Sequence, residues 1–184
     1  MSNDVTPAGP MVMPIVQAGH PVLRQAARTL TVEELLSEGI QQLLVRMQAT
    51  MRDAPGVGLA ATQIGVGLRL AVVEDRPEYV ARIGEAERAL RERIPVPYHV
   101  LCNPVLTVED PTPVTFLEGC LSVNGWVAEV TRNRGVRVEA LDGHGRPVVI
   151  HAVGWHARIL QHECDHLDGN LYVDKMNTRT LRAT

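Results

Sequence analysis

Aromatic residues and lysine are scarce in this chain. Across 184 residues there is one phenylalanine, an aromatic fraction of 3%, and a single lysine, Lys175. With so few rings, any core has to be aliphatic, built from Val, Leu, Ile, Ala and Met. No apolar run approaches the roughly 18–20 residues of a membrane-spanning helix. The opening MSNDVTPAGPMVMP has Asp4 and prolines where a secretory leader needs a basic start and an apolar stretch. The expectation is a cytoplasmic protein that contacts no membrane. A net charge of −3 gives no electrostatic footprint for direct nucleic-acid binding. Three cysteines, Cys102, Cys120 and Cys164, cannot all pair, and a reducing compartment keeps them as thiols.

What is present is ordinary for a globular chain: 45% apolar and 21% charged residues. The length suits one core and is short for two, so residues 1–184 are expected to form one domain, with about residues 1–14 loosely ordered. Thr31 and Glu34 make a capping box. Val32, Leu35, Leu36, Ile40, Leu43, Leu44, Met47 and Met51 then recur at helical spacing, predicting one helix over about 32–53 that ends at Pro55–Gly56. LRLAVVE (68–74) reads as a buried strand, residues 77–93 as an exposed helical excursion, and YHVLCNPVL (98–106) as another strand. Short strands are expected at 126–132 and 136–142, a turn at DGHG (142–145), and an antiparallel return at 147–153. A helix over about 155–167 follows, stopped by Gly169. The fold class is therefore α+β: mainly antiparallel short strands packed around a metal-binding helix.

That late helix carries QHECDHLDG (161–169). His162 and His166, four apart, lie about 40° apart around the axis, so their imidazoles can converge on one ion. Glu163 is turned about 100° away, beside the ion, the place for a general base. The third ligand is the question. After Glu163 the chain has no glutamate, which removes a thermolysin-like site; Tyr172 stands where a metzincin needs its third histidine. The ligand must lie upstream. His20, His99, His144, His151 and His156 carry no supporting pattern, whereas Cys120 sits in FLEGCLSV (116–123), preceded by Gly119. A thiolate and two imidazoles make a three-ligand site with an open fourth position, the catalytic rather than the structural arrangement.

A third stretch, GVGLAATQIG (56–65), has neither the lysine of a phosphate loop nor the preceding strand of a dinucleotide fold. Backbone bared at Gly56 and Gly58 can lie along an extended peptide. Gln63 can then offer a neutral amide donor to a developing oxyanion.

Together GVGLAATQ (56–63), EGCLS (118–122) and HECDH (162–166) resemble the three motifs of the peptide deformylases, in the same order and at similar separations. The likeness runs from about Gly19 to Met176. The 77–97 excursion and GWHARILQHE (154–163) look like the branch that includes mitochondrial and plant organellar enzymes. The resemblance implies removal of the N-terminal formyl group from formyl-methionyl nascent peptides, met at the ribosome, with release of formate. It implies a metal on Cys120, His162 and His166, usually Fe²⁺, which Zn²⁺, Ni²⁺ or Co²⁺ can replace. Glu163 would move the proton, while Gln63 and the backbone N–H of Leu121 would hold the oxyanion. The peptide would pair with backbone near Gly58 and Gly119, its methionine meeting Val57, Trp155, Arg158 and Ile159. Glu118 and Asp165 would order the site, with Arg132 as counter-charge. The family's long C-terminal helix, seen in some bacterial members, is not expected here. The rival readings are a peptidase cutting internal amide bonds and a non-catalytic metal-binding protein.

Overall fold

The computed structural model describes residues 11–184, so most of the loose start expected through about residue 14 lies outside the described residues. From Met13 the chain is tied down: its N–H donates to Thr50 Oγ1 at 2.9 Å, and the N–H of Val16 donates to the Gln63 carbonyl at 2.9 Å.

The Thr31–Glu34 capping box forms. The single helix expected behind it is two helices, α1 (Val32–Leu36) and α2 (Glu38–Asp53), separated at Ser37, whose backbone is extended. The Ser37 hydroxyl donates back to the Glu34 carbonyl at 2.6 Å, which satisfies the end of α1 while the chain turns. The apolar stripe divides accordingly. Leu35, Leu44, Met47 and Met51 are buried, but Val32 and Leu36 are about half exposed. Ala54 ends α2 because a residue before proline is disfavoured in helical geometry.

Among the described residues six strands form one antiparallel sheet: β1 (Gly58–Ala60), β2 (Leu70–Asp75), β3 (Val96–Gly119), β4 (Trp126–Leu141), β5 (Pro147–Val153) and β6 (Arg182–Ala183). The order is β1-β2-β3-β4-β5, with β6 beside the start of β4. Two strands are longer than the sequence pattern predicts, 24 residues for β3 and 16 for β4. Pro111, Pro113 and Gly135 read locally as stops. The ladder absorbs the prolines as register shifts between Cys102 and Val105 and between Val108 and Pro113. The resulting β3–β4 ribbon carries residues 114–119 and 126–132 out past the sheet's centre, with Glu118 opposite Ala128 and Val114 opposite Arg132.

The excursion forms two short helices, α3 (Pro77–Val80) and α4 (Glu85–Leu90), and Arg93 at its end makes a paired contact with the fully buried Asp75. The last helix, α5 (Gly154–Leu167), opens on Gly154 at φ +59°, where a Cβ would come within 2.4 Å of Glu92 Cβ. Only glycine fits that backbone and that space.

β2 shows where the core sits. Its Leu70 and Val72 join Leu35, Leu44, Met47 and Met51 on the α2 side, while Ala71 and Val73 join Val136, Val138, Leu160 and Leu167 on the α5 side. A strand covered on both faces has no polar alternation, which explains the continuous apolar run. Among the described residues no helix is long and apolar enough to cross a membrane.

Candidate metal centre and active site

α5 is buried through most of its length, Gln161, Glu163, Asp165 and His166 included. Polar side chains placed there must find partners or carry a function. Cys120 follows directly on β3, and the ribbon brings it over the helix. The ligand atoms of Cys120, His162 and His166 lie within 4.8 Å of one another. Cys120 Sγ is 3.2 Å from His166 Nε2, and the two imidazoles stand edge to face at 4.9 Å. One soft sulfur and two borderline nitrogens, converging from three residues, form a donor set that fits a divalent first-row ion.

Behind His162 lies a chain of paired charges. Its Nδ1 meets Glu118 Oε2 at 3.1 Å, which leaves Nε2 to face Cys120 and His166. Arg132 Nε and Nη2 donate to both oxygens of Glu118 at 2.6 and 2.8 Å, and its Nη1 donates to Asp165 at 2.8 Å. Lys175 closes the chain on the other oxygen of Asp165 at 2.6 Å. Burial opposes the charge on Glu118, but the hydrogen bonds from Arg132 and His162 overcome it and hold its carboxyl well below the usual range.

Glu163 faces the other way. It is 3% exposed, and among the described residues its Oε2 has no hydrogen-bond partner. Burial is the main reason its carboxyl is pushed up to about 7, against the opposing pull of His162 and Arg132. Its Oε1 packs on β1 so closely that a Cβ at Gly58 would lie 2.2 Å away. A side chain at Gly58 would therefore displace the Glu163 carboxylate.

Gln63 comes from the single turn after β1, Ala61–Ile64. Its Oε1 accepts from the Ala60 N–H at 2.9 Å, which turns the amide so that Nε2 points at Cys120 Sγ (3.5 Å) and Ser122 Oγ (3.4 Å). These groups open on a cleft of about 700 Å³. Val57, Gly58, Gly119, Cys120, Leu121, Trp155 and Ile159 are among the residues that line it. Leu121 is braced from both sides: Gly56 leaves room for its Cδ1, and its carbonyl accepts from Gln17 at 3.0 Å.

Arg158 borders the cleft, but its guanidinium is turned into the protein, onto Glu118 and two backbone carbonyls. The stem that was expected to line a methionine pocket therefore ends in a buried ion pair. The histidines set aside as ligands lie elsewhere: His151 pairs with Glu109 at 2.9 Å, His20 caps its own turn, and His99 and His156 meet edge to face at 5.5 Å. Gln17, Ser122 and Lys175 are neighbours of the site that sequence reasoning did not single out. Ser122 lay inside a quoted motif; Gln17 and Lys175 had no local signal.

The model of the family described as Polypeptide deformylase matches residues 12–182. The chain belongs to the polypeptide deformylase family. Its sequence is 50% identical over 169 residues to peptide deformylase 1A, chloroplastic/mitochondrial, of Arabidopsis thaliana, covering 92% of this chain and 63% of that protein. It is 48% identical over 169 residues to peptide deformylase 1A, chloroplastic, of Solanum lycopersicum, covering 92% and 61%. The chain thus spans a little over three fifths of those two plant deformylases. Among solved structures, a class I type b peptide deformylase from Acinetobacter baumannii, bound to Met-Ala-Ser, superposes with a TM-score of 0.80 at 31% identity, covering 91% of this chain and 99% of that one. In this deformylase-family chain the three motifs, 55 or more residues from first to second, meet in one cleft because β3 delivers the second onto the helix that carries the third.

Proposed function

We propose that the protein is a peptide deformylase, hydrolysing the formamide at the N-terminus of formyl-methionyl nascent polypeptides and releasing formate. One observation carries the reading: a Cys-His-His donor set within 4.8 Å lies beside a buried glutamate whose Oε2 has no partner among the described residues, and Cys120, His162 and Glu163 line a cleft. Family membership supports it. So does the Met-Ala-Ser bound to the Acinetobacter relative, a peptide whose sequence begins as a deformylated product would.

Cys120, His162 and His166 would hold the ion, with Fe²⁺ as the working assignment and Zn²⁺, Ni²⁺ or Co²⁺ as replacements. When bound, such an ion supplies Lewis acidity and makes water a nucleophile near neutral pH. Glu163, poised at about 7, accepts the proton of the attacking water and passes it to the leaving amine. The Gln63 amide and the Leu121 N–H stabilise the oxyanion as the formyl carbon becomes tetrahedral. Gly58 and Gly119 present backbone to the peptide, which joins as an added strand. Val57, Trp155 and Ile159 enclose the methionine side chain, with Arg158 behind them. The formyl carbon bears only hydrogen, so a cramped floor admits it and excludes bulkier acyl groups. Residues 1–184 act in this reading as a single catalytic domain in the cytoplasm, meeting its substrates at the ribosome without contacting nucleic acid or membrane.

The test is formate release from formyl-Met-Ala-Ser by anaerobically purified protein, compared with acetyl-Met-Ala-Ser and an internally cleavable peptide. Formate from the first substrate alone supports the reading. Turnover of the internal bond, or none at all with metal bound, would overturn it.

A further inference from the structure

We infer that Arg158 is a positioning residue for the metal centre, fixing Glu118 and, through it, the ring of His162. The inference rests on the reading that Cys120, His162 and His166 hold the ion.

Arg158 stands four residues before His162 on α5, on the same side of the helix, and is 4% exposed. Its guanidinium leaves the helix and makes three bonds: Nη1 to Glu118 Oε1 at 2.5 Å and to the Val130 carbonyl at 3.0 Å, and Nη2 to the Val114 carbonyl at 2.6 Å. One planar group therefore ties the metal-bearing helix to both strands of the ribbon and to the carboxylate at its end. The second oxygen of that carboxylate meets His162 Nδ1 at 3.1 Å. A carboxylate held this way fixes the ring's orientation and leaves Nε2 as the ligating atom.

Arg132 grips the same carboxylate, but from β4, and it is shared with Asp165. Arg132 reaches α5 only through the Asp165 carboxylate, whereas Arg158 is itself carried by the helix on which both histidines ride. Phe116 and Trp155 wall it in, with ring centres 5.2 and 5.9 Å from Cζ. Lysine cannot reproduce the contact set, because its ammonium lacks the planar fork that reaches a carboxylate and two carbonyls together. Without Arg158, Glu118 loses a donor and the Val130 and Val114 carbonyls lose an N–H bond, so the His162 ring is held less firmly.

The experiment titrates Co²⁺ into metal-free wild-type, Arg158→Met and Arg158→Lys proteins against a competing chelator. The visible cobalt spectrum reports geometry, and circular dichroism reports folding. Loss of an outer partner of a metal-bound histidine costs about 10–100-fold in metal affinity. Arg158→Met is expected in that range, with a shifted d–d band, and Arg158→Lys between it and wild type. The KM for formyl-Met-Ala-Ser, measured on fully loaded enzyme, should stay close to that of wild type. A folded Arg158→Met protein that binds cobalt within twofold of wild type, or one whose only change is a higher KM, overturns the inference and returns Arg158 to the pocket wall. If Arg158→Met does not fold, Arg158→Lys decides: wild-type affinity and an unchanged band overturn it. Wild-type protein that binds cobalt but releases no formate would sink the deformylase reading and leave this inference standing.

Discussion

Two buried glutamates flank His162, and the protein treats them in opposite ways. Glu118, at the end of β3, receives two guanidiniums and an imidazole. Glu163, on the cleft side, has one oxygen against Gly58 and the other without a partner among the described residues. The first is held ionised; burial drives the second up to about 7. One wall of the site is thus a fixed charge lattice that holds shape, and the other keeps a single carboxylate able to gain and lose a proton. The lesson is that a carboxylate's surroundings, more than its distance from the metal ligands, assign its task.

The largest expected effect tests the mobile wall. Glu163→Gln should lower kcat for formyl-Met-Ala-Ser by about 10²–10⁴-fold, the range for losing a general base. Metal content, measured by plasma emission, should be unchanged, and Tm unchanged or higher, since a buried carboxylate without a partner has been removed. Gln63→Ala should cost about 10²–10³-fold in kcat, the toll for one oxyanion donor. A Gln63→Ala rate within a factor of two of wild type would take that amide out of the mechanism.

The fixed wall should respond in stability instead. Arg132→Met leaves Asp165 with Lys175 alone and strips Glu118 of its two-pronged partner, and breaking a buried pair of this kind costs about 3–5 kcal/mol. Urea unfolding of the metal-free protein measures it; a loss under about 1 kcal/mol would mean that the lattice does not hold the ribbon. At Gly58→Ala the two walls can be compared in one variant, because the new methyl group falls on Glu163 Oε1. Overpacking by one carbon costs about 1–3 kcal/mol. Here the larger consequence should be lost turnover with metal retained, read from kcat per bound ion. The smallest effect is expected at the lattice's outer end. Lys175 is nearly half exposed, so Lys175→Ala should shift stability by about 0–1 kcal/mol and leave kcat unchanged.

Much of the site was legible because its chemistry is concentrated in short motifs. The i, i+4 histidines on a helix need only the helical period to converge, and the absence of any glutamate after Glu163 pointed upstream for a third candidate, where Cys120 stands within 4.8 Å of them. Arg158 was read differently. The family resemblance alone places it at a methionine pocket, and it does line the cleft; its carboxylate partner lies 40 residues away in the chain, which no local pattern reports. The same limit applies to the strands. The strand expected at 68–74 announced itself by the apolar run of residues 70–73, whereas the full length of β3 was hidden by prolines that a local reading takes as stops.

The sequence by itself determined the kind of ligand set, the helix that bears two of its members, the α+β class and an aliphatic core. Each of these follows from residue type and periodicity within one segment. The tertiary structure decided which way polar side chains turn once buried: Glu118 onto arginines, Glu163 onto a bare glycine, the Arg158 guanidinium onto Glu118. It also decided that the chain breaks at Ser37 and that β3 runs on through its prolines to deliver Cys120 over α5. A buried charge must be compensated by whichever groups the fold brings near, and a strand survives a proline only when its neighbour's ladder closes around it. Both energies come from residues distant in the chain, so they come into being only when the fold closes.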